Sequence, residues 1–214
     1  MYLRAPFAAA ALCLIVSGSA FAQEVGIKAG VNFASLTPEE DEDPDTSRRV
    51  GLVAGGWFRT PSTARVSFQA EGLFTEKGVR FDSVPFEVDS SGSVIFGSVT
   101  IRVRYIEVPL LARVDFSAPG SSTRVFAVGG AAPAFKLSAR ARSELGAEQD
   151  TRDIGDDVEP VDVGLVRGFG VEFGRALIEA RYTHGVLNIN VDDNDPNDRI
   201  QNRVFSVTVG FRFR

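Results

Sequence analysis

The single histidine, His184, is the residue whose chemistry suits proton transfer, and Asp192 and Asp193 follow it in the chain. A histidine beside a carboxylate can act as a general base near neutral pH. However, His184 is spaced by even numbers from Ile178 and Tyr182, so in an extended chain it shares their apolar face. No G-x-S-x-G motif is present, and metal ligation by histidines needs more than one. We therefore predict no catalytic residue and no cofactor.

A short acidic run, residues 193–198, reads D-N-D-P-N-D and has the D-x-D-x-N spacing of a calcium-binding loop. The position that needs glycine in such a loop holds Asp198, and the twelfth position holds Val204 instead of glutamate. A second acidic run, residues 39–45, would attract divalent cations only weakly. Both runs are interpreted as solvated loops, and no metal site is predicted.

Charged side chains of both signs lie on the polar faces of several segments that read as strands. The eight are Lys28, Glu71, Glu107, Arg113, Glu172, Glu179, Arg181 and Arg212. Buried in a soluble core, such a set would carry a prohibitive desolvation penalty. In the lumen of a barrel the charges can pair with one another and with water. We interpret them as a structural ion-pair network that fills a lumen; the alternative is a polar constriction for solutes.

The final segment, residues 203–214, shows the strand pattern clearly. One face carries Phe205, Val207, Val209, Phe211 and Phe213, and the other carries Ser206, Thr208, Gly210, Arg212 and Arg214. Successive side chains of a strand point to opposite faces, so this strand has one apolar face and one polar face. A soluble sheet over a core and a membrane barrel both produce this pattern.

Seven further segments also read as strands, and their connections differ systematically in length. The eight predicted strands are residues 25–35, 50–59, 65–77, a fourth that ends at 116, 123–137, 161–173, 176–187 and 203–214. The odd-numbered connections are long and charged, whereas the even-numbered ones are short turns, which is the layout of an outer-membrane barrel. The predicted fold is all-β, an eight-stranded antiparallel up-and-down transmembrane β-barrel in the cell outer membrane. Its last strand turns its apolar face to lipid and pairs with the first.

Two details do not fit a uniform barrel wall. Arg102 and Arg104 share the register of the apolar Ile106, which indicates either a bulge or emergence of the strand from the membrane. Arg167 shares the register of apolar neighbours, so either it reaches an interface or a bulge near Gly168 shifts the register. The fifth strand is rich in glycine and alanine, and the pattern leaves its facing open. Residues 138–160 are predicted to be a long charged loop.

The N-terminus predicts export. Residues 1–22 combine Arg4, an apolar run over residues 7–16 and a small-residue site that ends at Ala22, which is the pattern of a secretory signal peptide. The barrel domain is then residues 23–214. The only cysteine, Cys13, lies in the signal, so the exported chain has no thiol. Loss of Arg4 takes the net charge from -5 to -6, and a mildly acidic chain offers no basic patch for nucleic acid.

Several stretches resemble the outer-membrane β-barrel family that includes the PorT-like proteins of Bacteroidetes-type bacteria. They are Gln69-x-Glu71 with Lys77-Gly78, the run 105–111 (Y-I-E-V-P-L-L), Asp162-x-Gly164, the run 168–174 (G-F-G-V-E-F-G), Arg181-Tyr182 and residues 185–189. Their order covers most of the exported chain. The resemblance implies a location and a fold more than an activity. One departure is Arg214, which follows Phe213 where the assembly signal of such proteins usually ends on an aromatic residue.

The expected function is that of a non-enzymatic structural or interaction protein with four long extracellular loops. Its expected partners are the lipid bilayer, the outer-membrane assembly machinery and proteins that contact the loops. One alternative is a small-solute, porin-like channel, and another is a PorT-like secretion-system component. A third is a soluble periplasmic lipocalin-like binder, which would reverse the facing and put apolar residues inside.

Overall fold

A computed structural model describes residues 23–37, 46–60, 65–88, 94–118, 120–145, 148–188 and 201–213. The strands are β1 Glu24–Thr37, β2 Thr46–Arg59, β3 Val66–Val88, β4 Val94–Glu107, β5 Leu110–Asp115, β6 Thr123–Leu145, β7 Glu148–Asp153, β8 Val161–Phe173, β9 Ala176–Gly185 and β10 Gln201–Arg212. One turn of 3-10 helix, Gly155–Asp157, precedes β8. None of the described residues forms a helix long and apolar enough to cross a membrane. The predicted signal, residues 1–22, lies outside the described residues.

The strands close into a ring in which each strand pairs antiparallel with its neighbours. β1 pairs with β2 on one side and with β10 on the other, where Gly26 lies opposite Arg212. β4 and β5 occupy a single position in the wall, because both pair with β3 and β6 and only Val108 and Pro109 separate them. β7 pairs only with β6. The ring therefore has eight positions, and the predicted eight-stranded antiparallel barrel is confirmed.

The predicted loop over residues 138–160 is wrong for much of its length. β6 continues to Leu145 and returns as β7, which pairs with it from Arg140 to Leu145. β3 also runs on to Val88 and pairs with the first half of β4. Residues 76–88 and 148–153 have charged residues on both faces, and residues 138–145 set polar and charged residues against alanine, serine and a final leucine, so these three segments lack the alternation of large apolar residues that marks a strand in sequence. Backbone pairing keeps them extended all the same. We call residues 76–88, 94–104, 138–145 and 148–153 the surface extension.

The structure resolves both irregular details of the wall. Burial alternates without a break from Arg102 to Glu107, and Arg102 and Arg104 point outward with Ile106 while Tyr105 points inward. The bulge lies in the neighbouring strand, where Arg104 faces Ser138 and Tyr105 faces Lys136, so the intervening residue of β6 is unopposed. β8 keeps its register with both neighbours through Gly168, so the predicted bulge there is wrong.

Arg167 points outward and lies on an aromatic ring. Its guanidinium carbon is 5.2 Å from the centroid of Tyr182, the residue directly opposite it on β9. A cation over an aromatic face is stabilised by the ring quadrupole, and tyrosine is enriched where a bilayer meets water. This contact favours the interface position for Arg167.

Candidate functional site: the ion-paired lumen

The two faces of the wall differ in polarity. Apolar side chains of β10 point outward, with Phe205 44% and Val209 59% exposed, whereas Thr208 between them is buried inside. Phe211 and Phe213 are also exposed. Apolar residues outside and polar residues inside are the reverse of what a lipocalin-like binder requires.

The first group of inward charges lies near the short turns and centres on Glu172, so we call it the Glu172 layer. Its members are Glu24, Arg59, Arg113, Asp115, Arg124, Glu172 and Arg212. Glu172 Oε2 is 2.9 Å from Arg113 and 3.3 Å from Arg59, and Glu172 Oε1 contacts Arg124 and Arg212. One fully buried carboxylate thus joins four arginines from four different strands.

The second group, the Glu71 layer, lies in the middle of the ring. Arg181 donates from Nη1 to Glu71 Oε2 at 2.8 Å and from Nη2 to Glu71 Oε1 at 2.6 Å. Lys28 Nζ lies 2.8 Å from Glu71 Oε2 and 3.3 Å from Glu179 Oε1. Arg181 also contacts Glu179, and the Gln69 side-chain amide donates to Glu71. Charge-assisted and bidentate hydrogen bonds of this kind are the strong ones.

The third group, the Lys77 layer, lies toward the long loops. Lys77 Nζ is 3.0 Å from Glu107 and 3.4 Å from Asp162. The Asn202 amide donates to Asp162 at 2.8 Å. Lys77 also lies 5.2 Å from the centroid of the Tyr105 ring.

The three layers together are neutral. The seven cations are Lys28, Arg59, Lys77, Arg113, Arg124, Arg181 and Arg212, and the seven carboxylates are Glu24, Glu71, Glu107, Asp115, Asp162, Glu172 and Glu179. Every member is in contact with a charge of the opposite sign. A buried charge is tolerated only when it is paired and hydrogen-bonded, and this arrangement meets that condition.

All eight sequence-predicted lumen residues fall within these layers. Reasoning from the sequence left six members outside the network: Glu24, Arg59, Lys77, Asp115, Arg124 and Asp162. Two of them could have been found from their spacing, because residues two apart in a strand share a face. Arg59 lies two residues after Trp57, and Glu24 lies two residues before Gly26, both of which belong to the polar faces of their strands.

Aromatic rings fill the space between the charged layers. The Trp57 indole lies flat against Gly26 of the neighbouring strand, where an added Cβ would come 2.5 Å from Cζ2 of the ring. Phe126 is likewise seated on Gly170, and the Arg113 guanidinium lies 3.6 Å from the Phe126 centroid. Glycine is required at both positions because the ring occupies the space of a side chain.

One side of the lumen is apolar, a feature absent from the sequence-based interpretation. The cluster is Leu111, Phe126, Val128, Ala132 and Val166, all buried. The composition of β6 left its facing open. The structure shows that Phe126, Val128, Ala132 and Ala134 point inward. The lumen is therefore packed by both ion pairs and apolar side chains.

Little space is left in the middle of the lumen. The cavity there, bounded by Lys28, Thr75, Glu107 and Arg181 among others, measures ≈ 20 Å³. One water molecule needs roughly 10–15 Å³ of such space, so the cavity has room for about one. An eight-stranded ring has an interior just wide enough for side chains to fill it.

Of the candidates for catalysis and metal binding, the structure describes only His184. His184 is partly exposed on the outer face, opposite Leu165 and Arg203 on the neighbouring strands. Its suggested partners Asp192 and Asp193, and the D-x-D-x-N run 193–198, lie outside the described residues. Over the part of the chain that is described, no three His, Cys, Asp or Glu side chains form a group able to hold a metal ion.

A model of the family described as outer membrane protein beta-barrel domain matches residues 21–191, well over half of the chain. The chain belongs to this family. Its closed antiparallel ring, apolar outer face and ion-paired interior are those of an outer-membrane barrel, and the predicted outer-membrane location and embedding in the lipid bilayer are confirmed. The resemblance is confirmed at the level of this family.

Solved structures of other outer-membrane barrels are similar at low sequence identity. Ail, the attachment invasion locus protein of Yersinia pestis, is 15% identical with a TM-score of 0.43, and the match covers 90% of this chain and 100% of that one. Neisserial surface protein A is 13% identical with a TM-score of 0.45, covering 88% and 97%. The outer membrane protein OprG from Pseudomonas aeruginosa is 11% identical with a TM-score of 0.46, covering 90% and 97%. No curated protein matches in sequence.

Proposed function

We propose that this barrel is a closed, non-enzymatic scaffold that holds its surface extension and long loops at the cell surface for interaction with other molecules. The observation that supports this proposal is the neutral ion-paired lumen, which leaves a central cavity of ≈ 20 Å³. A scaffold needs a rigid interior, whereas a channel needs an open one.

The energetics of the Glu71 layer argue against conduction. A passing cation would have to displace Lys28 or Arg181 from Glu71, and removing one partner from a buried pair costs about 3–5 kcal/mol. The pairs to Glu71 span the ring from three sides, because Lys28 is on β1, Arg181 on β9 and Glu71 on β3. A solute would therefore meet a closed set of cross-links at mid-depth.

Conductance in planar lipid bilayers tests the closed lumen. The purified, folded chain is expected to give no steady current steps. The matched control is the double variant Glu71→Ala plus Arg181→Ala, which empties the middle layer while leaving the Lys28–Glu179 pair balanced. Current steps from this variant would show that barrels of this chain insert under the assay conditions and that an opened lumen is detected. Steady, uniform conductance by the wild-type chain would overturn the scaffold in favour of the small-solute channel.

The display of the surface extension is tested by epitope insertion. Outer-membrane barrels have short turns on the periplasmic side and longer loops outside the cell. An epitope inserted between residues 90 and 91 is expected to bind antibody on intact cells. The same epitope inserted between residues 62 and 63 is expected to bind only after the outer membrane is permeabilised. The opposite pattern would contradict the proposed orientation.

A PorT-like role in secretion is the second candidate, and the motif order from Gln69 to residue 189 favours it. Such a role requires stable protein partners in the outer membrane. Chemical cross-linking in cells followed by purification of the full chain would test it. Recovery of one defined partner at constant stoichiometry supports the secretion role, and recovery of assembly machinery alone supports the scaffold.

A further inference from the structure

Outward-facing side chains change from apolar to cationic in successive rows on β3, β4 and β6. The last apolar row is Phe74, Ile106 and Phe135, which lie opposite one another. The next rows are Glu76, Arg104 and Ser138, then Gly78, Arg102 and Arg140, then Arg80, Thr100 and Arg142. The wall therefore becomes basic where the surface extension begins.

The arginines line one outward groove. A cavity of ≈ 200 Å³ is bounded by Thr100, Arg102, Arg104, Ser138, Arg140, Arg142 and Thr151. Four guanidinium groups and three hydroxyl groups surround this space, so it is lined largely by hydrogen-bond donors.

Two of the four arginines are already paired. Arg104 Nε lies 2.9 Å from Glu76, and Arg142 Nε lies 3.0 Å from Glu144. Arg142 also donates to Gln149. Glu76 lies beyond the apolar band. Burial alone would raise the pKa of its carboxyl, but the hydrogen bond from Arg104 and the nearby arginine charges outweigh burial and hold the pKa below its usual range.

The other two arginines repel each other. Arg102 and Arg140 are directly opposite on β4 and β6, and neither has an ion pair with a carboxylate among residues that the structure describes. Like charges directly opposite one another destabilise a sheet. Asp153 lies opposite Arg140 on β7, but its Oδ1 accepts a hydrogen bond from the Gly155 amide at 2.8 Å. An external anion between the two guanidinium groups would remove the repulsion.

The base of the groove lies at the height of the lipid headgroups. Each row is about 7 Å further along the strand, so a strand tilt near 40° puts the Arg104 row about 5 Å and the Arg102 row about 10 Å above the last apolar row. The headgroup zone extends roughly 5–8 Å beyond the hydrocarbon core on each side, so the Arg104 row lies within it and the Arg102 row lies just above it, where a long arginine side chain can reach down to a phosphate group. The groove opens outward from the wall, so its mouth faces lipid and not the lumen.

We propose that this groove binds phosphate groups of an anionic lipid headgroup in the outer leaflet. The planar fork of arginine matches phosphate oxygens in a bidentate geometry, and the hydroxyls of Thr100, Ser138 and Thr151 are placed to donate to the remaining oxygens. A diphosphorylated glycolipid headgroup can engage both Arg102 and Arg140. This site goes beyond the scaffold role and does not depend on whether the lumen conducts, so either proposal can fail alone.

Lipid titration into the folded barrel tests the site. The full chain is held in phosphatidylcholine nanodiscs, and binding of lipid A is measured by native mass spectrometry at fixed ionic strength. The double variant Arg102→Gln plus Arg140→Gln is expected to bind lipid A about tenfold less tightly than wild type, since two ion pairs at a solvent-exposed site are lost. The control variant Arg65→Gln plus Arg152→Gln removes the same charge from exposed sites outside the groove and is expected to bind like wild type.

Two further arms keep the outcome decisive. Arg102→Lys plus Arg140→Lys retains the charge but loses the fork, so an intermediate loss is expected, and this variant serves if the glutamine pair folds poorly. Soluble pyrophosphate supplies phosphate groups without acyl chains and is expected to bind more weakly than lipid A. Equal binding of lipid A by wild type and the glutamine variant would overturn the site. Pyrophosphate binding as tight as lipid A would overturn its assignment to lipid.

Discussion

Arg181 of β9 donates to both carboxylate oxygens of Glu71 on β3, at 2.8 and 2.6 Å. β3 and β9 are not neighbours in the ring, so this bidentate pair connects opposite parts of the wall. Strand pairing stabilises the barrel around its circumference, and the Glu71–Arg181 pair stabilises it across its diameter. The lumen is thereby held closed by side chains that no ladder hydrogen bond could replace.

Replacing Glu71 with glutamine is expected to lower the free energy of unfolding by about 3–5 kcal/mol, because Lys28 and Arg181 are left as buried, undercompensated charges. Urea unfolding of the folded chain in lipid vesicles measures the loss. Glu148→Gln is the matched control, since Glu148 is exposed on β7 and should change stability by less than about 0.5 kcal/mol. A Glu71→Gln protein as stable as the control would show that the middle layer does not stabilise the fold.

Replacing Gly26 with alanine is expected to cost about 1–3 kcal/mol, because the new methyl group would overlap the Trp57 ring and the Phe211 carbonyl. Gly72→Ala is the matched control. Gly72 is exposed on the outer face of β3, and nothing lies within 4 Å of a Cβ added there. We expect Gly72→Ala to be neutral or stabilising by up to about 1 kcal/mol. Tryptophan fluorescence during unfolding reports on Trp57 directly, and equal stabilities of the two variants would contradict the ring placement.

Converting Phe211 and Phe213 to aspartate is expected to abolish insertion into the outer membrane. Both rings are exposed on the outer face and lie 5.8 Å apart, so the double change puts two carboxylates where lipid is expected. Membrane fractionation with a boiled-versus-unboiled gel measures the folded, inserted fraction. Phe211→Leu plus Phe213→Leu keeps the apolar face and should still insert. Normal membrane levels of the aspartate variant would refute the lipid-facing assignment of β10.

Arg167→Leu distinguishes an interface position from a mid-membrane one. If the Tyr182 contact marks the interface, this substitution should change the free energy of unfolding by less than about 1 kcal/mol. A stabilisation of about 2–4 kcal/mol would instead place Arg167 near the middle of the bilayer. Phe169→Leu, two residues along the same face, serves as a control for altered lipid contact.

Sequence reasoning predicted those parts of the barrel in which one face is apolar. The strand over residues 161–173 was predicted with the bounds that the structure has, because Leu165, Phe169 and Phe173 alternate with Asp162 and Glu172. The eight predicted lumen charges also lie where parity put them, since a strand has only two faces.

The parts that sequence reasoning missed have physical causes. β7 is polar on both faces, and the outer half of β6 sets its polar residues mainly against alanine, so backbone pairing is what marks them as strands. Val128 and Ala132 gave no facing signal because small and apolar residues fit either lipid or a packed lumen. The partners of Glu172 come from four different strands, and no local pattern predicts which charges meet.

Glu24 and Arg212 stand 188 positions apart and contact each other only where the first strand meets the last. Before that seam forms, Glu24 and Arg212 lack each other as partners, and the Glu172 layer is incomplete. In an open sheet the charges of the Glu172 layer would have to stay hydrated, since unpaired charges are costly in hydrocarbon. Exclusion of water from the interior and joining of the chain ends are therefore one event, and a half-built barrel is not stable in hydrocarbon.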